Sequence, residues 1–220
     1  MGKLIVLEGT DGSGKATQAA ALLDRLRREG VDCRKIEFPR YQEESSALIR
    51  EYLRGDFGEK PSDVNAFAAS TFYAVDRYAS YQQDWGGYYR QGGLVIADRY
   101  TTSNAVHQGS KLQGKERTDF FEWLFDYEYR LLGLPKPDLV IYLDVPVDQT
   151  EQNMHRREIQ TGASADIHER DDGYLRACRA AAGEAAERFG WTKIACTKNG
   201  VMRSIDEIHE DVYRAVKEVL

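Results

Sequence analysis

The chain has 220 residues, with 30 Lys and Arg against 36 Asp and Glu and a formal net charge of -6. An acidic protein is not drawn to duplex DNA or to an anionic membrane, so neither is expected as a main partner, while a local basic pocket for a small anion stays open. The apolar runs are far too short to span a bilayer, the first ends at Glu8 without forming a secretory leader, and the three cysteines, Cys33, Cys178 and Cys196, show no CxxC or metal-ligand spacing, which gives the expectation of one reduced, cytoplasmic domain covering 1–220.

KLIVLE (3–8) opens the chain as a short apolar run, read as a buried parallel strand. It ends in GTDGSGKATQ, where Gly9, Gly14 and Lys15 keep the spacing of GxxxxGK[ST]. Glycines at 9, 12 and 14 permit positive φ and close backbone approach. Successive N–H groups and the start of a helix at 15–29 then face an anion, and Lys15 reaches the β- and γ-phosphates. A Gly-rich turn with a surface lysine is the plainer alternative; strand, loop, GK and helix in succession favour phosphate. The last position of the pattern is Ala16, where a hydroxyl would bind Mg²⁺, and the nearest hydroxyl is Thr17.

A second strand, 33–38, runs into FPRY, which puts Arg40 at a strand end as a phosphate ligand or a solvated loop arginine. A helix over 62–91 contains FYAVDR, in which Tyr73 and Arg77 are spaced i, i+4 and share a face. A ring beside a fork of N–H donors suits a base and its carbonyl; a buried tyrosine beside an exposed ion pair is the alternative. The strand at 93–98 ends in Asp98, a candidate metal acid, followed by Arg99, a candidate phosphate clamp. Helices follow at 101–109 and 115–132, then a strand at 139–144 that ends in Asp144, a helix cap or a second functional acid. Helices at 147–159 and 171–189, a strand at 192–197 and a helix at 204–219 complete the chain. The alternation predicts an α/β fold with a parallel sheet covered on both faces and ligands beyond the carboxyl ends of its strands.

In chain order, EGTDGSGK, FPRY, FYAVDR, ADRYTTSNAVHQ, GLPKPDLVIYLDVP and DIHERD resemble the thymidylate kinase family of P-loop nucleoside monophosphate kinases. GLPKPD has no mechanism derivable from its chemistry, yet it looks like a family signature. The resemblance implies a three-layer P-loop NTPase fold, a five-stranded parallel sheet, a lid near 156–170, and a homodimer. It implies ATP and Mg²⁺, and transfer of the γ-phosphoryl to dTMP. The ATP phosphates would fall to Gly9, Asp11, Gly12, Ser13, Gly14, Lys15, Ala16 and Thr17. The acceptor would fall to Asp11, Phe38, Arg40, Tyr73, Arg77, Arg99, Asn104, His107 and Gln108: Tyr73 on the thymine ring, Arg77 at its O4, Asn104 near N3, Arg40 and Arg99 on the phosphate. Catalysis would rest on Lys15, Asp11, Arg99 and Arg157 of the lid, with Asp98 and Asp11 serving the metal.

This chain departs from the family at several places. Tyr73 replaces the usual Phe, and His107 stands where an aromatic usually lies against the sugar. The lid segment 158–166 has no Lys or Arg, leaving Arg156, Arg157 and Arg170 nearby. These departures keep two alternatives open: a kinase of the same fold acting on dUMP or UMP, and a nucleotide-binding regulatory protein of low turnover.

Overall fold

Strand β1 (Lys3–Glu8) explains the architecture in miniature. Its four central residues, Leu4 to Leu7, are all fully buried. Leu4 and Val6 join one apolar cluster, and Ile5 and Leu7 join another. Successive side chains of a strand point to opposite faces, so an unbroken apolar run means that both faces are covered. The computed structural model describes residues 1–161 and 172–220, with 156–161 and 172 as backbone only.

Five strands form one parallel sheet: β1, β2 (Cys33–Glu37), β3 (Leu94–Asp98), β4 (Leu139–Asp144) and β5 (Thr192–Ala195), in the order β2-β3-β1-β4-β5. On one face lie α1 (Lys15–Arg28) and α9 (Ile205–Lys217), whose Leu22, Leu26, Ile208, Val212 and Val216 pack on Ile5, Leu7 and Ile96. The other face carries α3 (Ala66–Ser80), α4 (Gly86–Arg90), α5 (Thr101–His107), α6 (Gly114–Phe125) and α8 (Asp172–Phe189) around Trp85, Phe120, Phe121 and Cys178. Two further helices complete the set among the described residues: α2 (Ala47–Arg54) and α7 (Val147–Thr161). The expected three-layer P-loop NTPase arrangement is therefore present. β1 lies between β3 and β4, so the strand order reverses at its carboxyl end, and the crevice for a ligand opens there.

Several boundaries differ from the sequence reading. The helix expected over 62–91 starts at Ala66, because the Asn65 side chain accepts from the Ala68 N–H at 2.8 Å and caps it. It then passes through a π turn, Tyr81–Trp85, before α4. The helix expected over 115–132 likewise becomes a π turn at Asp126–Leu131. α2 was not anticipated; it is only 8 residues long and stops at Gly55, whose φ of 91° takes the left-handed conformation. The last sheet strand is shorter than 192–197. After it the chain forms a hairpin of β6 (Thr197–Lys198) and β7 (Val201–Met202), turned by Asn199 and Gly200 with φ of 53° and 77°. The three cysteines are free and buried. No helix among the described residues is long and apolar enough to cross a membrane.

Candidate active site

The loop after β1 is shaped by close approach. Gly12 has φ of 75°, and a Cβ there would lie 2.4 Å from the Thr150 carbonyl oxygen; Gly14, at φ 87°, ends the loop with no side-chain cap on α1. The first N–H groups of α1 are thereby left for an anion. Gly9 serves space rather than φ, since a Cβ there would meet Ser13 Oγ at 2.5 Å. The Asn153 side chain on α7 donates to the Gly12 carbonyl at 2.9 Å and holds the loop from outside.

Lys15 is buried under this loop, where its ammonium donates to the Thr10 carbonyl at 2.7 Å. Burial, seconded by repulsion from Arg99, lowers its pKa to about 8. A cleft of about 940 Å³ opens over Asp11, Gly12, Ser13, Gly14, Lys15, Ala16 and Thr17, with Asp98 and Arg99 at one end. Its far wall is Gly200, Val201 and Met202 of the hairpin with Ile205 and Ile208 of α9. That wall was missed by the sequence reading; Asn199-Gly200 is the hairpin signal that points to it.

Arg99 sits at the carboxyl end of β3 with φ of 67°. A non-glycine residue in this region is strained, and such strain gathers at functional sites. Its guanidinium pairs with Asp11 through Nη2 and lies 3.1 Å from His107 Nε2 through Nη1. Burial disfavours its charge, but Asp11, Glu8 and Asp98 more than offset this and hold it protonated above its ordinary range. Asp98 is buried beside it. Of the two acids expected at the metal, Asp11 is thus engaged by an arginine.

The residues expected on the acceptor side are held by partners that no motif named. Arg77 is almost fully buried and donates from Nε and Nη2 to Glu128 at 2.6 and 2.5 Å. Its Nη1 lies 3.5 Å from the Tyr100 carbonyl. The expected fork is therefore a buried pair, with Nη1 making the longest of its hydrogen bonds. Glu128, in the second π turn, also accepts from Thr101 Oγ1 at 2.7 Å and Asn104 Nδ2 at 3.5 Å. Arg40 follows the cis Phe38–Pro39 bond; its Nε donates to Asp76 at 3.2 Å and its Nη2 to Ser45 at 3.0 Å. Phe38 itself is buried against Tyr100 with ring centroids 6.1 Å apart, within the apolar core. Tyr73 is half-buried beside Tyr52 and Ala69. Gln108 is fully buried, and neither polar atom of its amide has a hydrogen-bond partner among the described residues.

Glu8 joins the two halves. It is fully buried at the end of β1, where Oε1 accepts from the Gly9 N–H at 2.9 Å and Oε2 accepts from Thr102 and Ser103 at 2.7 and 2.8 Å. One carboxylate thus ties the first residue of the phosphate loop to the first turn of α5. Asp144 lies outside this site and pairs with Arg179 and Lys193 at 3.0 and 2.9 Å. The Arg157 side chain and residues 162–170 of the expected lid lie outside the described residues.

A phosphate loop at the switch point of a five-stranded parallel sheet, with a buried lysine and an acid-arginine pair at the next strand end, defines a P-loop phosphotransferase. The family model for thymidylate kinase matches residues 7–212. A thymidylate kinase of Mycobacterium tuberculosis is 33% identical over 190 residues, covering 86% of this chain and 87% of that one. One from Plasmodium falciparum is 25% identical over 219 residues, covering 99% and 91%. The structure of a Candida albicans thymidylate kinase superposes with a TM-score of 0.71 at 21% identity, covering 99% of this chain and 92% of that one, a likeness of fold. This chain belongs to the thymidylate kinase family.

Proposed function

We propose that this protein, as one kinase domain spanning 1–220, transfers the γ-phosphoryl group of ATP to dTMP, giving ADP and dTDP. Family membership supports the reaction. The observation that carries it to this chain is the contact of Asp11 with Arg99, which joins the donor cleft to the arginine-lined acceptor side.

ATP lies along the cleft, its β- and γ-phosphates on the loop N–H groups from Gly9 to Thr17 and on Lys15. Val201, Ile205 and Ile208 form an apolar wall for the rest of the nucleotide. The dTMP phosphate sits against Arg99 and Arg40, which Asp11 and Asp76 hold in place. An oxygen of that phosphate attacks the γ-phosphorus as the bond to the β,γ-bridging oxygen breaks, and the electron pair leaves with ADP. The catalytic work is positioning and charge neutralisation, with no covalent intermediate. The base meets the ring of Tyr73, the Nη1 of Arg77, Asn104 and the Gln108 amide, which has no partner among the described residues.

Mg²⁺ fits here as a guest of the phosphates, since Asp98 lines the same cleft as the loop that would hold them. Asp98, at the pocket end of β3, and the Thr17 hydroxyl are the groups that would face it. When bound, it neutralises phosphate charge. Arg157 is the lid residue that would reach the phosphates, and the working form is a cytoplasmic homodimer. The test is ADP release with ATP and Mg²⁺, alone and with dTMP, dUMP or UMP. Release that depends on dTMP is expected; acceptor-independent or absent release, or a preference for UMP, would reject the reading.

A further inference from the structure

The ring of His107 was expected against the acceptor sugar. The structure ties it to two other elements. It lies on α5, 7% exposed, with Nε2 3.1 Å from Arg99 Nη1 and Nδ1 3.7 Å from Cys178 Sγ on α8. We propose that His107 is a positioning residue that holds the Arg99 guanidinium in place and is itself set by α8. The proposal rests on the reading of Arg99 as a clamp for the acceptor phosphate.

Hydrogen-bond chemistry decides the tautomer. A guanidinium nitrogen only donates, so Nε2 must offer its lone pair to Arg99. The ring proton then sits on Nδ1 and points to Cys178. Burial pushes the Cys178 thiol up to about 12, so it stays a neutral acceptor of that proton's hydrogen bond. The backbone is fixed from the same side: Tyr174 on α8 and Ser110 donate to the His107 carbonyl at 2.9 and 2.7 Å. A continuous series of contacts thus runs from α8 through His107 and Arg99 to Asp11 on the phosphate loop. The Arg99 backbone N–H is bound to the Leu7 carbonyl at 3.2 Å, but without His107 its guanidinium would keep, among the described residues, only the Asp11 contact at Nη2 and could swing about it. An aliphatic side chain at 107 would offer it no acceptor.

The test has a spectroscopic and a kinetic part. In uniformly ¹⁵N- and ¹³C-labelled protein, with the signal assigned by His107→Gln, the ring should show a protonated Nδ1 and a bare Nε2; a protonated Nε2 overturns the proposal. His107→Leu should raise KM for dTMP or lower kcat by about 10- to 100-fold, the range for losing a hydrogen bond to a charged group, with KM for ATP unchanged. His107→Gln, which can place an oxygen near the Nε2 position, should recover most of the loss. The dUMP-to-UMP ratio of kcat/KM should not move. Parent-like kinetics in a folded His107→Leu, or a changed ratio with an unchanged KM for dTMP, would reject positioning in favour of a wall or sugar-reading role. Arg99→Ala is measured in parallel. If it leaves the acceptor KM unchanged, the clamp reading itself fails and the proposal falls with it. If Arg99→Ala is impaired while His107→Leu is not, only the proposal fails. Should the Leu variant not fold, the tautomer and the Gln variant decide.

Discussion

Arg77 is the residue whose substitution now has a different expected outcome from the one its motif suggests. As a free fork facing a base, its loss would weaken acceptor binding and leave the fold alone. The structure makes it half of a buried pair. Its guanidinium is disfavoured by burial and kept charged by Glu128. Arg77→Met retains a linear stem and removes the charge, leaving the Glu128 carboxylate fully buried with, among the described residues, Thr101 and Asn104 as its side-chain partners. Removing one side of a buried ion pair costs about 3–5 kcal/mol. The two contacts at 2.6 and 2.5 Å place this pair toward the upper end. That is a large share of the roughly 5–15 kcal/mol that hold a domain together. At about 2–4 °C per kcal/mol for a chain of this size, Tm should fall by roughly 6–20 °C. Adding Glu128→Leu to Arg77→Met removes the stranded charge and should restore part of the loss, because an apolar replacement of a buried pair is often neutral. Thermal and urea unfolding of the parent, both single variants and the double variant provide the cycle. An Arg77→Met protein that melts with the parent, or losses that simply add in the double variant, would refute the argument.

Lys15→Ala should fold and lose roughly 10²–10³ in kcat, the usual cost of one charge stabiliser. In the parent, kcat/KM for ATP should fall as pH rises through about 8, where the buried ammonium of Lys15 deprotonates; a profile flat to well above that pH would remove Lys15 from the mechanism. Ala16→Ser should lower the Mg²⁺ concentration for half-maximal rate, and an unchanged titration would mean that other groups already complete the metal shell. Lys111 offers a test of stability. It donates to Tyr52 Oη at 3.0 Å and the Val64 carbonyl at 2.7 Å, and burial lowers its pKa from 10.5 to about 7. The unfolded chain binds the extra proton between these two values, so this group makes stability rise with pH across that window. Lys111→Met should flatten the rise and stabilise the protein near pH 7; urea midpoints with an unchanged pH slope would contradict this.

What the sequence made legible is what lies close together along it. Leu4 to Leu7 gave a strand, GTDGSGKAT gave the loop, and Asp98-Arg99 gave a strand end, each within a few residues. The loop and the strand ends that flank it were therefore largely readable. The hairpin wall was not, although Asn199-Gly200 marks its turn, because strands of two residues carry no periodicity. α2 escaped for a similar reason, having barely two turns of pattern. The partners escaped for another. Glu128 lies 51 residues from Arg77, Asp76 lies 36 from Arg40, and Glu8 lies 94 from Thr102. Neither helical nor strand spacing reports on such distances, because only the folded sheet brings its strand ends and covering helices together.

This separation has a consequence for how the site is probed. A buried charge is tolerable only when paired, so the arginines that motifs assign to phosphate and base must bring acids from elsewhere in the chain. Arg99 has Asp11, Arg40 has Asp76 and Arg77 has Glu128. Substituting any of these arginines therefore removes a proposed ligand contact and takes the opposite charge from its acid in one stroke, and the two effects arrive mixed in a measured KM. Varying the acid conservatively separates them. Glu128→Gln keeps a carbonyl acceptor for Arg77 and leaves the arginine in place. If Arg77 meets the base, its orientation rather than its presence is what this change disturbs. KM for dTMP should then rise while KM for ATP holds, with a smaller loss of Tm than Arg77→Met suffers. Equal shifts in both KM values would show that the pair supports the fold without aiming the fork at an acceptor.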